Sequence, residues 1–274
     1  ATMKQIIFTD LDGTLLDSAT YSYEKSLTGI NRLKRKGIPI IFCSAKTRAE
    51  QEVYRRELGV FHPFIVENGG AIFIPQGYFP FSFDYHKVID ELLIIELGIP
   101  YSEVRKLLVK IKEEGEFYFR CFGDMSAEEV AEESGMDIES AKLAKQREYD
   151  ETVVIASEAK QSHITPGEVD RFLEKIKQVG LNYAHGGRFY DVMGDNDKGK
   201  AVKIVSELYR KLWGEIETIG LGDSLNDLPM LSTVDIPILV QKRDYTWENI
   251  SLPRLRKVPG IGPEGWSSII EEIF

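Results

Sequence analysis

The chain has 274 residues, 43% hydrophobic and 28% charged, which is the composition of an ordinary globular protein long enough for two domains. Its formal net charge of −10 argues against nucleic acid or an anionic membrane as a partner, so local cations must draw in any anionic substrate. No run approaches the roughly 20 apolar residues of a membrane span, and the opening apolar run is too short for a signal peptide, so a cytoplasmic protein is expected.

The first predicted element is a short β-branched run, Ile6-Ile7-Phe8, read as a buried strand of a parallel sheet. It runs into Thr9-Asp10-Leu11-Asp12-Gly13-Thr14. Ligands of such sheets collect beyond the carboxyl ends of the strands, which places Asp10 and Asp12 where chemistry is expected. Two positions apart on an extended chain, the two carboxylates lean to the same side and repel unless a cation joins them. Mg²⁺ is the natural choice, a hard ion that favours oxygen ligands beside phosphates. A calcium loop would need Gly at its sixth position and Glu at its twelfth, where this chain has Leu15 and Tyr21. A solvated acidic turn and a phospho-accepting switch of the flavodoxin-like kind stay open at this point.

Tyr23 to Lys36 reads as an amphipathic helix stopped by Gly37, and Ile38 to Cys43 as the second buried strand. That strand delivers Ser44, followed by Ala45-Lys46-Thr47-Arg48 and a helix from Ala49 to Leu58. A hydroxyl and helix-start amides at a strand end make an anion site, although a plain helix cap would also use a serine. Phe64-Ile65-Val66 is the third strand. Glu67-Asn68-Gly69-Gly70 then predicts a hairpin turn or a close approach of backbone to ligand. Strand and helix alternate as in a doubly wound, mostly parallel, Rossmann-like α/β core.

Near Ser82 the texture changes to clustered aromatics, then to charged helices and β-type runs up to Met193. Residues 83–192 are therefore expected to form an inserted α+β domain, with 1–82 and 193–274 as the core. The core resumes at Asp197-Lys198-Gly199-Lys200, the start of a helix to about Leu212. Next come a strand, Thr218 to Leu221, and Gly222-Asp223-Ser224-Leu225-Asn226-Asp227, again carboxylates at a strand end. Ile236 to Val240 is a further strand, and Pro259 to Trp266 reads as a rigid loop before a last helix. Cys43 and Cys121 have no metal-type spacing and are expected to be buried, reduced thiols. His62, His86, His163 and His185 lie too far apart for a ligand pair.

Asp10 with Asp12, Ser44, Lys198, and Asp223 with Asp227 together resemble the four motifs of the haloacid-dehalogenase superfamily of phosphohydrolases, with D-L-D-G-T and G-D-S-L-N-D the specific pieces. The insert resembles the larger cap of its sugar-phosphatase branch. S-A-K-T-R-A-E, E-N-G-G-A-I, R-E-Y-D-E-T, R-F-Y-D-V with D-K-G-K-A, and G-P-E-G-W carry a closer resemblance, to the mannosyl-3-phosphoglycerate phosphatase family.

These residues suit attack on a phosphate monoester. Asp10 is the expected nucleophile, forming an aspartyl phosphate. Asp12 is the expected acid and base, its pKa raised by acidic neighbours. Ser44 and Lys198 would orient the phosphate. The resemblance implies that Mg²⁺ meets Asp10, the Asp12 carbonyl and Asp223, with Asp227 holding Lys198 or a metal-bound water. Lys46, Arg48, Asn68, Gly69 and Arg188 are the candidates for holding a phosphorylated sugar–glycerate, whose carboxylate suits an arginine. A broader hexose or sucrose phosphatase and a phosphomutase share this chemistry. A phospho-accepting regulator belongs to another class, and Asp12 counts against it, since a stable switch has no use for a group poised to hydrolyse it.

Overall fold

A computed structural model describes residues 3–156 and 165–274; His163 lies outside them. In chain order the elements begin with β1 (Lys4–Thr9), α1 (Leu27–Arg35), β2 (Ile40–Phe42), α2 (Arg48–Leu58), β3 (Phe64–Val66) and β4 (Ala71–Pro75). Then follow β5 (Lys87–Ile89), β6 (Leu92–Glu96), α3 (Tyr101–Glu113), β7 (Tyr118–Cys121), α4 (Ala127–Ser134) and α5 (Ile138–Ala144). Next are β8 (Asp150–Ala156), α6 (Pro166–Gln178), β9 (Asn182–His185) and β10 (Tyr190–Met193). The chain closes with α7 (Lys198–Trp213), β11 (Ile216–Gly222), α8 (Leu228–Leu231), β12 (Ile236–Gln241), β13 (Arg256–Ile261) and α9 (Pro263–Ile273).

The central sheet is parallel, in the order β13-β12-β11-β1-β2. Both faces are covered, which is why β1, β2 and β12 carry continuous apolar runs rather than alternating ones, while the edge strand β13 is largely exposed. Ile7 packs with Leu33, Trp266 and Ile270 on one face, while Ile6 and Phe8 pack with Val202, Tyr209 and Met230 on the other. The chain leaves β1 for β2 on one side and returns as β11 on the other. A crevice opens at such a switch of direction, and Thr9 is in register with Leu221, so Asp10 and, one residue further on, Asp223 follow at neighbouring strand ends. The stretch Pro259 to Trp266, read as a loop, is instead the end of β13, which pairs with β12 up to Ile261, and the first turn of α9 from Pro263.

β3 departs from expectation. It touches β2 through one parallel bridge, Cys43 to Ile65, and then belongs to an antiparallel sheet ordered β3-β4-β6-β5. The cause is local. Glu67, Asn68 and Gly69 have φ of 48°, 57° and 81°, a left-handed turn that sends the chain straight back. β5 and β6 pair onto β4, so a boundary at residue 83 falls inside this sheet.

A second antiparallel sheet, β7-β8-β10-β9, packs one face on α3 and α6 around Val104, Phe119, Val153, Phe172 and Val192. Alternation along β8 and β10 turns Thr152 and Asp191, which are cross-strand partners, to the opposite face. Cys43 and Cys121 are buried free thiols. No described helix is long and apolar enough to cross a membrane.

Candidate active site

A cavity of about 430 Å³ lies between the ends of β1, β11 and β12 and the residues around β8 and β10, large enough for a sugar-sized ligand. Its core wall carries Asp10, Asp12, Ser44, Lys46 and Asp223. Asp10 Oδ1 accepts from the Leu11 amide at 2.8 Å and faces Lys198 Nζ at 3.2 Å. Its other carboxylate oxygen carries no such partner among the described residues and is left for the cavity.

Lys198 begins α7, where a lysine is ordinarily solvated. Here it is fully buried between Asp10 and Asp227, with Asp227 Oδ1 at 2.8 Å. The second Asp227 oxygen accepts from the Asp223 and Ser224 amides at 2.9 and 3.1 Å. Asp227 thus fixes both the ammonium and the turn that presents Asp223. Asp223 in turn accepts from the Thr14 and Ser224 hydroxyls, each at 2.9 Å. Gly13 is required for this approach: it has φ of 76°, and a Cβ there would lie 2.5 Å from Asp223 Oδ2.

Asp10, Asp223 and Asp227 are all buried and offer carboxylate oxygens within 4.8 Å of one another. Lys198 is the ammonium in direct contact with these acids, and Lys242 acts on Asp223 from further off. Burial, then the charge of Asp227, raises the Asp10 pKa well above the ordinary carboxylate value, and Lys198 opposes them. Burial and Asp227 likewise push Asp223 up to about 6. A buried acid cluster with too little positive charge fits a hard divalent cation.

Ser44 is not the helix cap. Thr47 fills that role, in a capping box with Glu50, so the Ser44 hydroxyl, which accepts from the Lys46 amide at 3.1 Å, is left on the cavity wall. Lys46 is buried between Asp12 Oδ1 at 3.3 Å and Glu50 Oε2 at 3.2 Å. Desolvation raises the Asp12 pKa and Lys46 pulls against it. Arg188 reaches the cavity from the β9–β10 side, its guanidinium bonded to the Ser134 carbonyl.

Three expected substrate residues are placed elsewhere. Arg48 sits outside the cavity, facing Glu52, Asp90 and Glu148 at 3.5–3.6 Å. Asn68 is buried with its amide occupied: Nδ2 donates to Asp150 and Asp191, and Oδ1 accepts from Asn226. Gly69 packs against the Asp197 backbone, whose carbonyl oxygen would be 2.1 Å from a Cβ. The Glu67-Asn68-Gly69 turn is therefore scaffold.

That scaffold ties the site together. Glu67, fully buried, accepts from the amides of Glu148, Tyr149 and Asp150 at 2.9–3.2 Å. Arg147 beside it donates to Asp150 at 2.7 Å and to the Ala45 carbonyl at 2.8 Å, next to Ser44. Glu67→Ala should cost about 3–5 kcal/mol of stability, because it orphans buried amides and strips Arg147 of a counter-charge. Urea unfolding measures this; a loss below about 1 kcal/mol would contradict the clasp.

Sequence reasoning missed Arg147, Thr152 and Asp191 as wall residues, although they lie in segments quoted for the resemblance. Asp191 accepts from Thr152 and Asn68 at 2.7 and 2.9 Å, and burial followed by Asp150 pushes its pKa up to about 7. It also missed Lys242 and Arg243 at the end of β12.

The model of the haloacid dehalogenase-like hydrolases matches residues 7–246. The chain belongs to that family. The chain is similar, at 49% identity over 99% of its length and 98% of the relative's, to a glucosyl-3-phosphoglycerate/mannosyl-3-phosphoglycerate phosphatase of Methanococcoides burtonii. A mannosyl-3-phosphoglycerate phosphatase of Pyrococcus horikoshii is 42% identical, over 87% of this chain and 91% of that one. Among solved structures, Thermoplasma acidophilum 0175 superposes with a TM-score of 0.68 at 18% identity, covering 99% of this chain and 98% of its own. That likeness shows the haloacid dehalogenase-like fold alone.

Proposed function

We propose that this hydrolase removes the phosphate of a hexosyl-3-phosphoglycerate, mannosyl-3-phosphoglycerate first among them, through an aspartyl phosphate on Asp10. The observation that carries the reading is one free Asp10 oxygen facing a cavity whose wall holds Asp12, Ser44 and Asp223, with Lys198 buried beneath. The full-length similarity to phosphatases of that name supports the substrate class.

Lys198 favours the ionised form of Asp10 against burial and its acidic neighbours and aims it, and the Asp10 oxygen attacks phosphorus as the ester bond breaks. Asp12 gives its proton to the departing glyceryl oxygen, then takes one from the water that cleaves the acyl phosphate. Ser44 holds a phosphate oxygen from the β2 side. Asp10 and Asp223, with the Asp12 carbonyl, would hold Mg²⁺, which when bound would offset the charge of the phosphate dianion. Asp227 serves as the holder of Lys198, both its oxygens being engaged. The insert serves as a cap that sheds water from the site. Pairing of β5 and β6 with β4 supports drawing its start after Glu96 rather than at 83.

Phosphate release from mannosyl- and glucosyl-3-phosphoglycerate, compared with hexose phosphates and sucrose phosphate, tests the reading. The two glycerates should lead by at least about tenfold in kcat/KM, the least that one charge-assisted hydrogen bond confers. A preference for simple hexose phosphates would refute it.

A further inference from the structure

The cations of the cavity fall into two groups. Lys46 is matched by Asp12 and Glu50, and Arg147 by Asp150. Lys242, Arg243 and Arg188 also line the cavity, and no carboxylate lies within 4.0 Å of any of the three among the described residues; Arg188 is already bonded to the Ser134 carbonyl. Lys242 is half-buried and Arg243 exposed; two neighbouring cations without a carboxylate partner on a concave wall attract an anion that the protein does not supply.

The loop that carries them is built. The Lys242 amide donates to the Thr246 carbonyl at 2.8 Å, and the Tyr245 amide to the Lys242 carbonyl at 2.9 Å. Gln241 clasps it from β12, donating to the Tyr245 carbonyl and accepting from the Gly260 amide, each at 2.7 Å. Tyr245 holds a left-handed φ of 66° to close the turn. Asp244 is bonded instead to the Thr246 amide and hydroxyl at 3.1 and 2.6 Å. Lys242 Nζ lies 3.1 Å from the Ser224 hydroxyl, which donates to Asp223 at 2.9 Å. The ammonium is thus two hydrogen bonds from the acid that borders the phosphate position.

We propose that Lys242 and Arg243 form the subsite for the carboxylate of the glyceryl group and determine specificity for it. This rests on the phosphatase reading above. In a 3-phosphoglycerate the carboxylate sits a short glyceryl backbone from the phosphate, and Lys242 stands at that kind of remove from Asp223. Arg243 adds the planar fork that suits a carboxylate. Of the two arginines the sequence offered for this task, Arg48 is outside the cavity, and Arg188 lines it with its guanidinium bonded to the Ser134 carbonyl.

The test compares mannosyl-3-phosphoglycerate with the analogue that has a hydroxymethyl group in place of its carboxylate. The ratio of kcat/KM on the two should fall roughly ten- to a hundred-fold in Arg243→Gln, most of it in KM. Lys242→Gln should lower it as well, and Arg243→Lys should recover part of it. Because Lys242 also touches Ser224, Arg243→Gln decides. Equal losses on both compounds in Arg243→Gln, leaving the ratio at its native value, would overturn the subsite. Failure of the native protein to turn over either compound would bring down the substrate reading itself, and the subsite with it.

Discussion

Asp10→Asn should keep the fold and lower kcat by roughly 10⁴-fold or more, because an amide cannot form the acyl phosphate. The change is nearly isosteric at a buried position, and Lys198 keeps its 2.8 Å contact with Asp227. The metal-free variant should also be no less stable than the native protein at neutral pH. Burial and neighbouring acids raise the folded-state pKa of Asp10 above its unfolded value. A carboxyl shifted that way favours folding when protonated and opposes it once ionised. Removing it therefore relieves the fold at pH 7, and the gain fades as pH falls toward about 4, where the unfolded carboxyl also protonates. Phosphate release, melting curves across that range and trapping by BeF₃⁻ give the readouts. Turnover within about tenfold of native would exclude Asp10 as nucleophile.

The core of this site was legible because strand ends carry the chemistry of parallel sheets. Asp10, Ser44 and Asp223 could be found from apolar runs that stop at polar residues, and the fold brings them together on one wall. Lys198 could be named, but its burial between two acids depends on β1 and β11 being neighbours, which no local pattern encodes. Arg48 and Asn68 misled for opposite reasons. Helix periodicity turns Arg48 to a surface of carboxylates, while the left-handed turn buries Asn68 beneath the site. Both types of residue commonly bind sugars or carboxylates, and residue type alone does not say which way a side chain points. Lys242 and Arg243 follow a strand just as Asp10 does, so the same rule applied to β12 finds them. The β3 turn was visible as a hairpin signal, but its consequence was not. Whether a strand joins its neighbour or folds back depends on the φ of Glu67 and Asn68; left-handed backbone is common enough for Asn but seldom adopted by Glu.

Removal of divalent metal should abolish phosphate release from every substrate, and Mg²⁺ should restore it. The argument is one of charge. Buried carboxylates of Asp10, Asp223 and Asp227 converge within 4.8 Å, and a phosphate dianion must enter against them. Lys198 is already shared by Asp10 and Asp227, and Lys46 by Asp12 and Glu50. Lys242 and Arg243 line the cavity but lie within 4.0 Å of none of these carboxylates, so without a further cation at the acids themselves substrate entry and attack by Asp10 are both opposed by like charge. Mg²⁺ should also bind the free protein and stabilise it, by about 2.7 kcal/mol at a hundred times its Kd. Asp223→Ala should weaken that binding by more than tenfold in calorimetry, since it removes a ligand held by Thr14 and Ser224. Asp227→Asn should weaken metal binding less, because its oxygens serve Lys198 and backbone amides. Full turnover in excess EDTA would rule out the metal, and equal calorimetric losses in the two variants would make Asp227 a ligand as well.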